Sequence, residues 1–258
     1  MSKRLDGKVA IVTGGGGALA GAFCRGLAEQ GAKVLIAEYN PEKLEMRANE
    51  LINEGFDVLP VPTDVSDRAS TEHMAKVALE KWGRIDVLVN NAVVSGAAPF
   101  NKINEDFWDK MFAINVKGVW LCTLAVFDAM RNQGKGKIIN IGSQTFFSGW
   151  PHLLGYVGTK GAVVGMTRAL AIEVGPLGIR VNCLCPGMTM TESALVDVEL
   201  SIRPGGVESW VDEHVQKQCI KHPGYPEDLV GTLIYLSSDD SDFLTGQTIL
   251  VDGGWAKH

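Results

Sequence analysis

The 258-residue sequence predicts an α/β fold, a doubly wound parallel sheet of seven strands with helices on both faces. Three observations carry that expectation. Short β-branched runs alternate with longer segments of helical period, the pattern of βαβ units. The runs are continuously apolar, as in strands covered on both faces. A glycine-rich stretch, GGGGALAG, lies between the first such run and the first helical segment. With 46% hydrophobic residues and 30 glycines the chain can bury a full core as one domain, read here over residues 1–258.

In chain order, KVAIVTG opens the sheet and GAFCRGLAEQG forms the helix that returns to AKVLIAE. PEKLEMRANELINEG, DVLPVPTDV, RASTEHMAKVALEKWG and IDVLVNNA continue the alternation. A helical stretch over about 105–132 leads to GKIINIGS, and a second over 156–175 leads to IRVNCLCPG; QTILVDGG is the last strand. Several of these helices close on glycine, which stops a helix by taking a left-handed conformation. From about Met188 to Pro226, RPGG and HPGYP interrupt short amphipathic pieces, so 188–226 reads as a lid over a site.

A formal net charge of -6 without a dense Lys/Arg block argues against nucleic-acid binding. The opening residues lack the core and cleavage pattern of a signal peptide, and no apolar run reads as long enough to span a membrane. Five cysteines without metal-ligand spacing read as reduced thiols, hence a cytoplasmic protein with no metal site. The partner expected is a small molecule or another protein.

The glycine-rich turn is the first chemical feature. Backbone N–H groups there can approach a pyrophosphate, and the following helix N-terminus adds partial positive charge. A turn that merely connects strand to helix has the same composition. Its position after the opening strand, and Glu38 at the end of the second, favour a dinucleotide site. A carboxylate at that strand end accepts hydrogen bonds from ribose hydroxyls and repels a 2′-phosphate, so NAD is expected over NADP.

From about Leu5 onward the chain resembles the short-chain dehydrogenase/reductases of the compact, single-domain type, with a Rossmann-like fold. The resemblance rests on TGGGGALA at 13–20, DV at 64–65, NNA at 90–92, Asn115, Ser143, YVGTK at 156–160, PG at 186–187 and DGG at 252–254. Two departures stand out: Ala18 and Ala20 replace glycines of the family turn, and Val93 replaces the glycine of NNAG. The resemblance implies phosphate contacts from Gly14, Gly16, Gly17, Ala18 and Leu19. It places Asp64 and Val65 at the adenine, Asn91 and Ala92 along the ribose, and Pro186, Gly187, Thr189 and Thr191 at the nicotinamide end.

It also implies the catalytic set. An unperturbed phenol titrates near pH 10, so Tyr156 is a poor base at neutral pH unless its anion is stabilised. Lys160 follows one helical turn later, and a unit charge at ~4 Å with an effective dielectric of ~20 is worth about 4 kcal/mol before desolvation. Tyr156 is then expected to exchange the proton as hydride moves to or from the nicotinamide, while Lys160 also holds its ribose. Ser143 would donate a hydrogen bond to the reacting oxygen, and Asn115 would anchor a water in the proton path.

Around the reacting centre the sequence offers Gln144, Phe146, Trp150, Leu153 and Met188, with His152, Leu195, Val196 and Trp210 nearby. The aromatic members read equally as pocket, core or subunit contacts, and His152 as a structural or surface residue or a second acid. Together they suggest a hydrophobic, aromatic or cyclic secondary alcohol or its ketone. The alternatives are a 3-oxoacyl carrier-protein reductase and a non-catalytic dinucleotide-binding protein. Members of this size usually form tetramers, so a homotetramer with Trp255 partly buried between subunits is expected.

Overall fold

The computed structural model describes residues 3–192 and 206–256. Its strands are β1 (Val9–Thr13), β2 (Lys33–Glu38), β3 (Val58–Pro62), β4 (Val87–Asn90), β5 (Gly136–Ile141), β6 (Ile179–Pro186) and β7 (Thr248–Val251). They form one sheet in the order β3-β2-β1-β4-β5-β6-β7, parallel throughout. The α-helices are α1 (Ala18–Glu29), α2 (Pro41–Asn53), α3 (Arg68–Trp82), α4 (Glu105–Phe112), α5 (Gly118–Gln133), α6 (Thr145–Ser148), α7 (Leu154–Val174), α8 (Gly206–Lys217) and α9 (Pro226–Ser237). This is the Rossmann-like α/β architecture expected from the sequence.

The continuously apolar strands feed two cores by strict alternation, because successive side chains leave a strand on opposite faces. Ala10 and Val12 of β1 join Ile36, Val89 and Ile139 beneath Phe23 and Leu27 of α1 and Leu233 of α9. Ile11, one residue out of phase, joins Leu35, Leu88 and Ile138 against Met74 of α3 and Val126 of α5 on the other face. β3 tolerates Pro60 and Pro62 because it is an edge strand, where a missing N–H leaves no ladder bond unmade. Helix starts are set by side-chain caps: Asn40 accepts from Lys43 N, Asp67 from Ser70 N and Asn104 from Phe107 N.

The stretch expected as one helix over 105–132 is divided. α4 ends at Phe112, a π-helical turn covers Ala113–Lys117, and α5 begins at Gly118. Such turns interrupt the i→i−4 ladder and re-aim the side chains they carry, here Asn115. By length and composition Glu105–Gln133 is apolar enough to cross a membrane, contrary to the sequence expectation. The sheet accounts for that character, since Val119, Leu121, Cys122, Val126 and Met130 of α5 are buried.

At the amino ends of the strands Lys137 is buried; its Nζ lies 2.7 Å from Asp242 Oδ1 and donates to Ser241 Oγ at 3.0 Å. Asp242→Asn leaves that ammonium without its counter-charge. Because Asp242 is half-exposed, the expected cost is about 2 kcal/mol, below that of a fully buried broken pair. A lowered denaturant midpoint at unchanged m-value checks it.

Candidate active site

The strand order reverses between β1 and β4, and an open parallel sheet has its crevice at that point, outside the carboxyl ends of the strands. A cavity of about 790 Å³ lies there, reaching from Glu38 and Asp64 to Thr189 and His214. Thr13 ties its floor together. The hydroxyl accepts from the backbone N–H groups of Asn91 and Ala92 at 3.0 and 3.1 Å, while Asn91 Nδ2 donates to Thr13 O. Gly14 has φ +64°, and a Cβ there would lie 2.8 Å from Ala92 Cα, so the turn and the β4 loop meet only through glycine. Gly17 precedes the first turn of α1, and Gly17, Ala18 and Leu19 line the cavity.

Gly16 is placed otherwise than the sequence suggested. It does not line the cavity; its N–H donates to Glu38 Oε2 at 3.1 Å. Glu38 Oε1 accepts from Asn40 N at 2.9 Å, so this carboxylate clamps the glycine turn to the start of α2 while facing the cavity. Lys43, in the first turn of α2, lines the same end. Sequence reading missed it because it stands five residues beyond Glu38, and the helix folds it back.

Asp64, Val65, Asn91, Ala92, Pro186, Gly187, Thr189 and Thr191 all line the cavity. Asp64 is held by an Asx turn, its Oδ1 accepting from Ser66 N and Oγ at 2.8 and 2.6 Å. At the other end a Cβ on Gly187 would lie 2.6 Å from Asp252 Cα, so the DGG segment after β7 presses on the loop after β6.

Ser143, Tyr156 and Lys160 meet in the cavity from β5 and α7. Ser143 Oγ accepts from Thr145 N and Oγ1 at 3.2 and 2.9 Å. Lys160 Nζ donates to Ile141 O at 2.7 Å and lies 5.6 Å from the centre of the Tyr156 ring. Burial pulls this ammonium down to about 8, with Cys183 and Cys185 opposing. Asn115 does not line the cavity. From the π turn it clamps the loop after β4: Oδ1 accepts from Val94 N and Nδ2 donates to Val94 O, each at 2.8 Å, and Nδ2 also reaches Thr159 Oγ1 at 3.1 Å.

Of the candidates around the reacting centre, Gln144, Trp150, Leu153, Met188 and Trp210 line the cavity. Phe146 does not: it is partly exposed, lies over Gly161 of α7 and packs edge-on to Phe147. His152 is exposed in the turn before α7 at φ 66°, outside the cavity wall. Leu195 and Val196 lie outside the described residues. The structure adds His214, buried between Trp150 and Trp210 at centroid distances of 4.8 and 4.5 Å. His214 Nδ1 is 3.0 Å from Trp210 O, and since a carbonyl only accepts, Nδ1 carries a proton. Its i,i+4 spacing from Trp210 was the available signal, but only the fold brings α8 to Trp150. Trp255 stacks toward the same histidine at 6.3 Å, with its indole N–H covered inside the single chain.

A family model described as short chain dehydrogenase matches residues 8–197. The chain is 37% identical over 250 residues to the (2S)-[(R)-hydroxy(phenyl)methyl]succinyl-CoA dehydrogenase subunit BbsD of Thauera aromatica, covering 97% of each chain. A gluconate 5-dehydrogenase from Burkholderia cenocepacia, solved with NADP and tartrate, superposes with a TM-score of 0.89 at 35% identity, over 98% of this chain and 97% of that one. An NAD⁺-bound xylitol dehydrogenase superposes with a TM-score of 0.92 at 28% identity, over 98% of this chain and 100% of that one.

Proposed function

Because the chain belongs to the short chain dehydrogenase family, oxidoreductases that use nicotinamide dinucleotides, we propose that it interconverts a hydrophobic secondary alcohol, aromatic or cyclic, and its ketone with NAD. One observation carries this reading: Ser143, Tyr156 and Lys160 line a cavity that is also lined by the packed rings of Trp150, Trp210 and His214. Flat aromatic walls suit an apolar ring. The carbinol in the name of the Thauera aromatica relative carries a phenyl group, which supports the same class.

The residues fit a dinucleotide. The Gly14 turn leaves no room for a side chain, the start of α1 opens on the cavity, and the cleft is long enough to reach Thr189 from Glu38. Bound there, NAD supplies the hydride acceptor. Tyr156 takes the proton from the alcohol, Ser143 holds the reacting oxygen, and Lys160 stabilises the phenolate from beneath its ring. Asn115 fixes the backbone at Val94 beside them; a water on its side chain remains part of the proposal. The described part of 188–226, with α8 bearing Trp210 and His214, acts as the lid. A panel of secondary alcohols assayed with each cofactor, following the absorbance of reduced nicotinamide, tests the assignment; no turnover of any of them overturns it.

NAD is expected over NADP by at least ~10-fold in kcat/KM, since a 2′-phosphate would face the Glu38 carboxylate. Lys43 at the same end works against the preference, so Glu38→Ala should narrow it. Because Glu38 also holds Gly16 and Asn40, the variant should lose NAD affinity too. Kinetics with both cofactors reads the preference, and equal use of NADP by the wild type refutes it. We further propose a cytoplasmic homotetramer. Trp120 and Leu124 of α5 and Ile172 of α7 expose apolar surface suited to subunit contact. Light scattering at micromolar concentration is expected to give four chains; a monomer refutes it.

A further inference from the structure

Cys183 and Cys185 leave β6 on one face, as residues two apart on a strand do, and both are buried. Their sulfurs lie 3.6 Å apart and share a hydrogen bond. That face meets the loop that carries Ser143: a Cβ on Gly142 would overlap both sulfurs, and Gly142 itself lines the cavity. A bare glycine therefore parts this dithiol from the cavity. The loop is also pinned to the same strand, Gly142 N–H donating to Leu184 O at 2.8 Å and Gln144 N–H to Pro186 O at 3.0 Å. The hydrogen bond from Cys183, with the Ser143 N–H and the Lys160 charge behind it, draws the Cys185 thiol below its ordinary value against the cost of burial. Burial pushes Cys24 and Cys122 the other way, up to about 12, so neither supplies a thiolate at neutral pH.

We propose that Cys183 and Cys185 form an oxidative modification site, a dithiol that hydrogen peroxide converts to a disulfide, disabling the cavity beside it. The Cys185 sulfur, as thiolate, attacks one peroxide oxygen; the O–O bond breaks, and the departing hydroxide takes the proton of the Cys183 thiol to give water. Cys185 is then a sulfenic acid. The Cys183 sulfur attacks it, the S–S bond forms, the S–O bond breaks, and the second hydroxide recovers as water the proton that Cys185 had lost. Two thiols and one peroxide give one disulfide and two waters, the dithiol supplying the electron pair that reduces the peroxide. Residues two apart on an extended strand have Cα atoms ~6.6 Å apart, against a usual ~5.5–6 Å in a disulfide, so the bond contracts β6 at its carboxyl end. Pro186 and Gly187, next on the chain, and the Ser143 loop hung on the same strand move with it. A disulfide under such strain is readily reduced, which makes the change reversible.

A Cys219→Ser parent, which lacks the exposed thiol, is treated with hydrogen peroxide and then with dithiothreitol, beside the same chain carrying Cys183→Ala or Cys185→Ala. Peptide mass, turnover and calorimetric NAD titration are read at each stage. The peptide that holds both cysteines is expected to lose two hydrogens, with turnover and NAD affinity each falling ~10-fold or more and returning on reduction. Neither alanine variant should form the bond, and Cys185→Ala should keep its turnover through the treatment. A peptide that keeps both thiols, or gains oxygen where it should lose hydrogen, overturns the site. An oxidised protein that binds NAD and turns over as before overturns its effect on the cavity, and so does a Cys185→Ala protein that is inactivated as fast as the parent. The turnover arm rests on the reading above: if the reduced parent oxidises no alcohol, that reading fails, while the mass and the NAD titration still decide the dithiol.

Discussion

Replacing Tyr156 by phenylalanine is expected to lower turnover by at least ~10² while NAD affinity changes little. The ring stays on α7 beside Lys160, and only the hydroxyl is lost. Lys160 Nζ, 5.6 Å from the ring centre and anchored on Ile141 O, keeps its position in the variant. Steady-state kinetics paired with calorimetry separates the two effects. Near-normal turnover at several pH values, in a variant that keeps its fold, would make the tyrosine structural and the catalytic assignment wrong.

Lys160→Met is expected to damage both quantities, turnover by ~10² or more and NAD affinity by ~10-fold, because one ammonium is assigned both the phenol and the ribose. Its pH behaviour supplies a further readout. Burial lowers the folded pKa to about 8 from an ordinary value of 10.5, so the unfolded chain holds this proton over a window where the folded chain does not. The cost of burying the charge is therefore complete below about pH 8 and is relieved as pH rises toward 10.5. Wild type should gain stability relative to Lys160→Met across that window, measured as the difference in melting temperature. In the free enzyme the same titration removes the charge that assists Tyr156, so wild-type kcat/KM should fall on the alkaline side. A stability difference independent of pH would mean that Lys160 titrates at its ordinary value.

A buried ammonium held at a cost beside a tyrosine ring is a common signature of a functional site. His152 takes a positive φ in the turn just before α7, the helix that carries Tyr156. The clamp of Asn115 on Val94 shows the opposite strategy, a buried amide whose hydrogen bonds hold a loop still.

What the sequence determined by itself is what short-range pattern encodes. Apolar runs of strand length and glycine-closed helices specify the seven parallel strands and their order along the chain. The four-residue spacing of Tyr156 and Lys160 places both on one helical face before any tertiary contact exists. Glycine at 14 is legible for the same reason, since its left-handed turn is a local property of the backbone. Tertiary structure decided the rest, because desolvation and pairing depend on segments far apart in the chain. Glu38 could be read as a ribose acceptor, but its grip on Gly16 and Asn40 needed the turn and α2 folded against it. The π turn that aims Asn115 has no periodic signature that separates it from the helix around it. Phe146 and Trp150, four residues apart and equally aromatic, diverge: one covers Gly161 and the other lines the cavity, a choice made by α7 and α8. His214 enters the site only when α8 packs across it, and the depressed pKa of Lys160 exists only once burial has removed its water.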